Sequence, residues 1–169
     1  FEIEGISIGD SALDFFTESE IKDNIRKNQY EGSDGKFFDV LIKKSNFEIY
    51  KKITLSFKKN DKSYKIYSLG GLIYYDNDTE RCNADYKKIA DEVESLFPNH
   101  TKDLMVNTKH PQDPSGKSVL NGTLFIDNSG SGAEVSCYSW SEEINIEDYV
   151  LVAVDSAEFS NWLTDYYAN

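Results

Sequence analysis

The sequence predicts an α+β fold: a mostly antiparallel sheet with helices packed on one face, in the order α-α-β-β-β-α-β-β-β-α. Three observations carry that expectation. Apolar residues recur at helical spacing in the windows 79–97 and 156–167. Apolar and polar residues alternate in several shorter windows, as half-buried strands do. The strands come in antiparallel runs, with helices between and at the ends, and not in βαβ alternation. The 169 residues fit one domain, 1–169. A hydrophobic fraction of 39% and an aromatic fraction of 14% exclude a disordered chain.

The elements follow in order. Ser11-Ala12-Leu13-Asp14 reads as a capping box, and Thr17-Glu18-Ser19-Glu20 repeats the signal. Two short helices are expected, about 11–16 and 18–27, with Leu13, Phe16, Ile21 and Ile25 facing inward. Strands follow at 37–42 and 50–58, the latter placing Ile53, Leu55 and Phe57 on one face. A turn at 60–63 leads to a long strand, 64–75, in which Gly70-Gly71 predicts a bulge or bend. Cys82, Tyr86, Ile89, Val93 and Leu96 make the apolar stripe of the helix 79–97, which Pro98 ends.

Residues 98–117 are polar and hold all three Pro, both His and the one Met, so a long irregular connection is expected there. A hairpin of strands 119–127 and 133–140 turns at 128–132. The strand 149–154 is apolar on both faces and suits a central position. Asp155-Ser156-Ala157-Glu158 caps a last helix, whose Phe159, Trp162, Leu163 and Tyr166 dock on the sheet. Both long helices are expected on the one covered face.

The net charge is −12, and it is uneven. Residues 1–75 carry 12 Lys/Arg and 12 Asp/Glu; residues 76–169 carry 6 and 18, and so hold the whole excess. An acidic surface repels phosphate backbones, which argues against nucleic acid as a partner. Eight Lys between residues 43 and 65 fit the charged guard of exposed strand edges. No stretch approaches the roughly 20 apolar residues of a transmembrane segment. The chain starts at Phe1 and not at Met, which leads to the expectation that a signal peptide has been removed and that the protein is periplasmic or secreted.

Cys82 lies on the apolar stripe of its helix, and Cys137 shares a strand face with Val135. Both thiols then point into the helix–sheet interface, and a Cys82–Cys137 disulfide is expected. A pair of reduced core cysteines is the alternative. Two Cys at this separation are no zinc signature. His100 and His110 lack a third ligand nearby, so neither metal nor cofactor is expected. Asp76-Asn77-Asp78-Thr79-Glu80 starts like a calcium loop, but Arg81 and Lys87 occupy the places of its Gly and Glu, and helix capping by Asp78 or Thr79 is the simpler reading.

No GxSxG and no Ser-His-acid set is apparent. Tyr138 and Trp140 lie on the strand face opposite Cys137, beside Glu134 and Ser136, and form an aromatic platform unless another layer covers them. The favoured function is a non-catalytic binding protein that recognises a protein or envelope component, with Tyr138, Trp140, Asp76 and Asp78 as candidate binding residues. The alternative is a carboxylate-dependent hydrolase of envelope polymers using Asp76 and Asp78. The first expects a shallow surface with Tyr138 or Trp140 exposed. The second expects a deep cleft holding two carboxylates roughly 5–10 Å apart.

Three segments carry a resemblance. They are Gly5-Ile6-Ser7-Ile8-Gly9-Asp10-Ser11-Ala12-Leu13-Asp14-Phe15-Phe16, Cys137-Tyr138-Ser139-Trp140-Ser141, and Glu158-Phe159-Ser160-Asn161-Trp162-Leu163. Together they resemble a group of uncharacterised exported proteins of small-genome marine bacteria. That resemblance implies export and supplies no activity. The opening segment is also similar to the helical starts of outer-membrane assembly lipoproteins of the SmpA type and of β-lactamase-inhibitor proteins. Phe1 stands where the first of these would carry a lipidated Cys.

Overall fold

Residues 1–27, 29, 30, 33–44, 46–97 and 99–168 are described by a computed structural model. Strand pairing dominates it. The chain opens with a small hairpin, β1 (Glu2–Ile3) and β2 (Ile6–Ser7), closed by Glu4 and Gly5 in the left-handed region. A 3-10 turn, Ala12–Asp14, and a short helix α1 (Glu18–Asp23) follow. Then come β3 (Phe37–Ile42), β4 (Lys52–Lys58), β5 (Ile66–Tyr74) and helix α2 (Thr79–Glu94). The second half adds β6 (His100–Lys109), β7 (Val119–Asp127), β8 (Gly132–Ser139), β9 (Tyr149–Asp155) and helix α3 (Ala157–Ala168). Strands β3 to β9 form one antiparallel sheet in the order β3-β4-β5-β9-β8-β7-β6.

The expected α+β layer, with its helices on one face, is corrected by this arrangement. The protein is mostly β, a seven-stranded sheet and a two-stranded one, with three short helices among the described residues. Each departure has a local cause. Residues 98–117 were expected to be irregular, yet 100–109 form β6. It is an edge strand exposed on both sides, so it shows no apolar alternation. The two opening helices shrink because Ser11 caps only Leu13 N–H, whereas Thr17 and Glu20 complete a full capping box. Beyond Asp23 the chain extends: Ile25 bridges to Val40, Arg26 N–H donates to the Asp39 carbonyl, and Leu41 N–H donates to the Asn24 carbonyl. Those residues close the β3 edge instead of continuing the helix. Leu13 and Ile25, expected inside, are exposed; Phe16 and Ile21 are buried.

The helices also divide between the faces. One face, with Val40, Leu55, Leu69, Val135 and Val152, packs under α2, α1 and the first hairpin. There Glu4 ties the hairpin down by accepting hydrogen bonds from the N–H groups of Glu48, Ile49 and Tyr50. Helix α3 lies on the other face, where Phe159 and Trp162 bury against Phe37 and Tyr67. Trp162 donates to Asp34 at 2.9 Å, and Glu158 pairs with Lys36 and Lys58. Lys52 and Lys58 thus lie on an inner strand and cover tyrosine rings, and do not guard an edge.

The disulfide forms. Cys82 and Cys137 are bonded, both buried, with Cα atoms 5.7 Å apart. It fastens α2 to β8 across 55 residues of chain, worth about 4 kcal/mol in the chain-entropy account. Gly70-Gly71 makes no bulge: the irregularity falls between Ser56 and Phe57, opposite Ile66. The two glycines serve close approach instead. A Cβ at Gly71 would fall 2.3 Å from the Tyr50 ring, and one at Gly70 would fall 2.7 Å from Thr54 Oγ1. No helix among the described residues is long and apolar enough to cross a membrane.

Candidate functional site

The face that carries α3 is built in rows, because antiparallel register sets side chains of neighbouring strands beside each other. An aromatic row crosses β5, β9 and β8 as Tyr74, Tyr149 and Tyr138. Tyr138 stacks between Tyr149, at 5.0 Å, and Trp140, at 6.3 Å, and His110 meets Trp140 at 4.3 Å. The next row is aliphatic, Leu72 beside Leu151. The row after it is small at its centre: Leu41, Thr54, Gly70, Ala153 and Glu134 follow one another across five strands. The last row is polar: Asp39, Ser56, Ser68 and Asp155.

The small side chain of Ala153 leaves a hollow in the floor, while the space over Gly70 is taken up by Thr54 and Leu151. Phe159, Leu163 and Tyr167 of α3 wall one side, and His110, Pro111 and Gln112 wall another. The result is a cavity of about 460 Å³. The 110–118 segment is pinned by buried Asp113, which accepts hydrogen bonds from Ser118 N–H and hydroxyl, Ser115 N–H and the Ser141 hydroxyl. Those bonds, the Ser118 hydroxyl first, hold the Asp113 carboxyl well below the usual carboxylate range. Asp148, also buried, accepts from Trp140 N–H, Thr79 and Ser139 and so fixes the start of the Trp140 segment. The indole N–H of Trp140 is itself buried with no partner of hydrogen-bond geometry.

Three carboxyl groups line the cavity: Asp39, Glu134 and Asp155. Asp39 accepts from the Tyr30 hydroxyl at 2.8 Å and the Ser56 hydroxyl at 2.6 Å. Burial still pushes its carboxyl up, against those two bonds. Glu134 accepts from the Tyr138 hydroxyl at 3.2 Å, and burial pushes it up as well. Asp155 is pushed up to about 7, chiefly by burial and further by Glu134 and Asp39, with Ser68 opposing. Burial also raises the Tyr138 and Tyr149 hydroxyls and lowers His110, which nearby Asp113 pulls the other way.

Comparison of the chain with protein-family models, with curated proteins and with solved structures finds no match. The site therefore stands on its geometry.

Two of the four residues singled out from the sequence meet here. Tyr138 and Trp140 are half-buried cavity walls, not an open platform. Asp76 and Asp78 lie elsewhere, exposed in the turn before α2; Asp78 caps that helix by accepting from Arg81 N–H at 3.0 Å. Among the described residues no group of His, Cys, Asp and Glu could hold a metal ion. Sequence reasoning missed Asp39, Tyr149 and Asp155. A signal for Asp155 existed: Tyr149, Leu151, Ala153 and Asp155 alternate on one face, so this acid ends the strand on the cavity side. Ser156, not Asp155, caps α3 by accepting from Phe159 N–H.

Proposed function

We propose that the protein is a non-catalytic binding protein that takes a small molecule into the cavity on the α3 face of its sheet. The observation that carries this reading is the cavity itself. Its volume of about 460 Å³ falls in the range of small-ligand sites, and its lining combines aromatic walls with a few convergent polar groups. A protein or envelope surface, the partner expected from the sequence, would need Tyr138 and Trp140 facing outward. Their place inside the cavity favours a small ligand. The disulfide supports an oxidising compartment, periplasmic or secreted.

The test is a thermal-shift screen of small molecules against wild type and Ala153→Leu. Ala153 sits in the cavity floor, so a larger side chain there fills the hollow. Ligands should raise the melting temperature of wild type only. Hits that stabilise both proteins equally would remove the cavity as the site.

A second reading, the carboxylate-dependent hydrolase, is favoured by the Glu134 and Asp155 pair. Glu134 lies opposite Ala153, so the two acids are diagonal neighbours on adjacent strands, with Cα atoms about 7–8 Å apart. Acid–base catalysis needs their environments to separate the two carboxyls, one protonated and one ionised. Burial instead raises both, which favours binding. Turnover of reporter glycosides, lost in Asp155→Asn, would reverse that preference.

A further inference from the structure

The lining of this cavity narrows the ligand, on the reading that the cavity is a binding site. Its carboxyl groups are bonded to hydroxyls and not to cations: Tyr30 and Ser56 on Asp39, Tyr138 on Glu134. The ion pairs of the described residues all lie elsewhere. The lysine that reaches the cavity, Lys52, places its ammonium 4.9 Å over the Tyr74 ring. Arg26 lies toward Asp39 and offsets only a small part of its burial. A carboxylate withdrawn from water is favourable when a positive charge faces it, and otherwise it takes up a proton.

The spacing of the acids decides between kinds of positive charge. A metal ion needs its ligands gathered around one point, and among the described residues no such group exists. Here the acids are spread along the floor. Glu134 and Asp155 are diagonal neighbours, whereas Asp39 lies three strands from Asp155, about 14 Å at roughly 4.8 Å per strand. Between them run Ser68 and Ser56, with the small, apolar Ala153 in the row beside. A sugar ring would lie on an open aromatic face, but Tyr138 has a ring stacked on each side. An ammonium group carries three donors and no acceptor, which suits the three carboxyl groups of the lining.

We propose that the cavity binds an aliphatic di- or polyamine, one ammonium between Glu134 and Asp155, a second directed at Asp39, and the methylene chain over Ala153. Arrival of the ammonium draws the proton from Asp155, so binding releases a proton and tightens as pH rises. With the carboxyl at about 7 in the empty cavity, the step from pH 6 to pH 8 should strengthen binding about tenfold.

Isothermal titration with spermidine tests this, in two buffers of different ionisation enthalpy, at pH 6 and pH 8. N-acetylglucosamine serves as the neutral probe. The proteins are wild type, Asp155→Asn, Glu134→Gln and Ala153→Leu, each checked for folding by circular dichroism. Wild type should bind one spermidine, with about one proton released at pH 6, little at pH 8, and the tenfold gain at pH 8. Each carboxylate variant should bind about tenfold more weakly, as for loss of one charge-assisted bond. Ala153→Leu keeps the acidic surface and should not bind. Equal binding of spermidine by wild type and Ala153→Leu would show attraction to the surface alone and overturn the assignment. Binding of the neutral probe but not spermidine, again lost in Ala153→Leu, would overturn the amine while leaving the cavity as a site. A screen in which no probe separates wild type from Ala153→Leu would end both readings.

Discussion

Asp155→Asn should stabilise the protein above pH 7 and change little near pH 4. In the unfolded chain this carboxyl ionises around its ordinary 3.8, while in the folded protein burial keeps it neutral up to about 7. Between those values the folded state holds a proton that the unfolded state has lost. Wild-type stability therefore falls as pH rises through this window, and the loss is complete a little above 7. A rise from 3.8 to about 7 is roughly three units, and at about 1.4 kcal/mol per unit the ceiling is near 4 kcal/mol. Asp155 is half-buried beside a cavity that water can enter, so about 2 kcal/mol is the working expectation. Asparagine keeps the shape and removes the ionisation. Glu134 and Asp39 also rise on burial, but they are present in both proteins and drop out of the difference to first order. Urea unfolding of both proteins from pH 4.5 to pH 8 gives the measurement. Parallel profiles would mean that Asp155 ionises as an ordinary surface carboxylate and that the cavity does not desolvate it.

Three further outcomes are expected. Replacing Cys82 and Cys137 with Ala should cost about 4 kcal/mol in denaturant unfolding, and the unreduced, denatured wild type should show no alkylatable thiol. Trp162→Ala should cost about 3–5 kcal/mol, since the indole is buried against Phe37 and Tyr30; a cost under about 1 kcal/mol would mean that α3 is not docked as described. Asp113→Asn removes the carboxylate that gathers Ser115, Ser118 and Ser141, and should speed amide exchange across 110–118 while leaving β3, β4 and β5 protected; unchanged exchange in that segment would show that the bonds do not hold the wall.

Much of the scaffold is legible in local pattern. Alternation marks Phe37–Ile42, Lys52–Lys58 and the β7–β8 hairpin because one face of each packs against the core. The stripe through Cys82, Tyr86 and Val93 marks α2, and with Val135 it orients both sulfurs. Strand β6 escapes because Leu104 and Val106 are exposed along with the polar residues around them, so no apolar alternation separates its sides. The stop of α1 escapes because residues 24–26 yield helix for pairing with a strand more than ten positions away. The cavity escapes for a related reason. Alternation tells that Tyr138, Glu134 and Asp155 avoid the α2 face, but only the register brings Tyr74, Tyr149 and Tyr138 into one row. Only the long return of α3 walls that row in.

The two margins of the sheet are unequal. Residues 24–26 bridge the middle of β3, taking up the Asp39 carbonyl and the Leu41 N–H, whereas the outer groups of β6 have no strand against them among the described residues. An open margin is a template for another strand, and a closed one is not. Two copies meeting through β6 would therefore turn their sealed margins outward. Growth by strand addition would terminate at a symmetric pair, and the open-ended stacking that leads to fibres would have no second end from which to proceed.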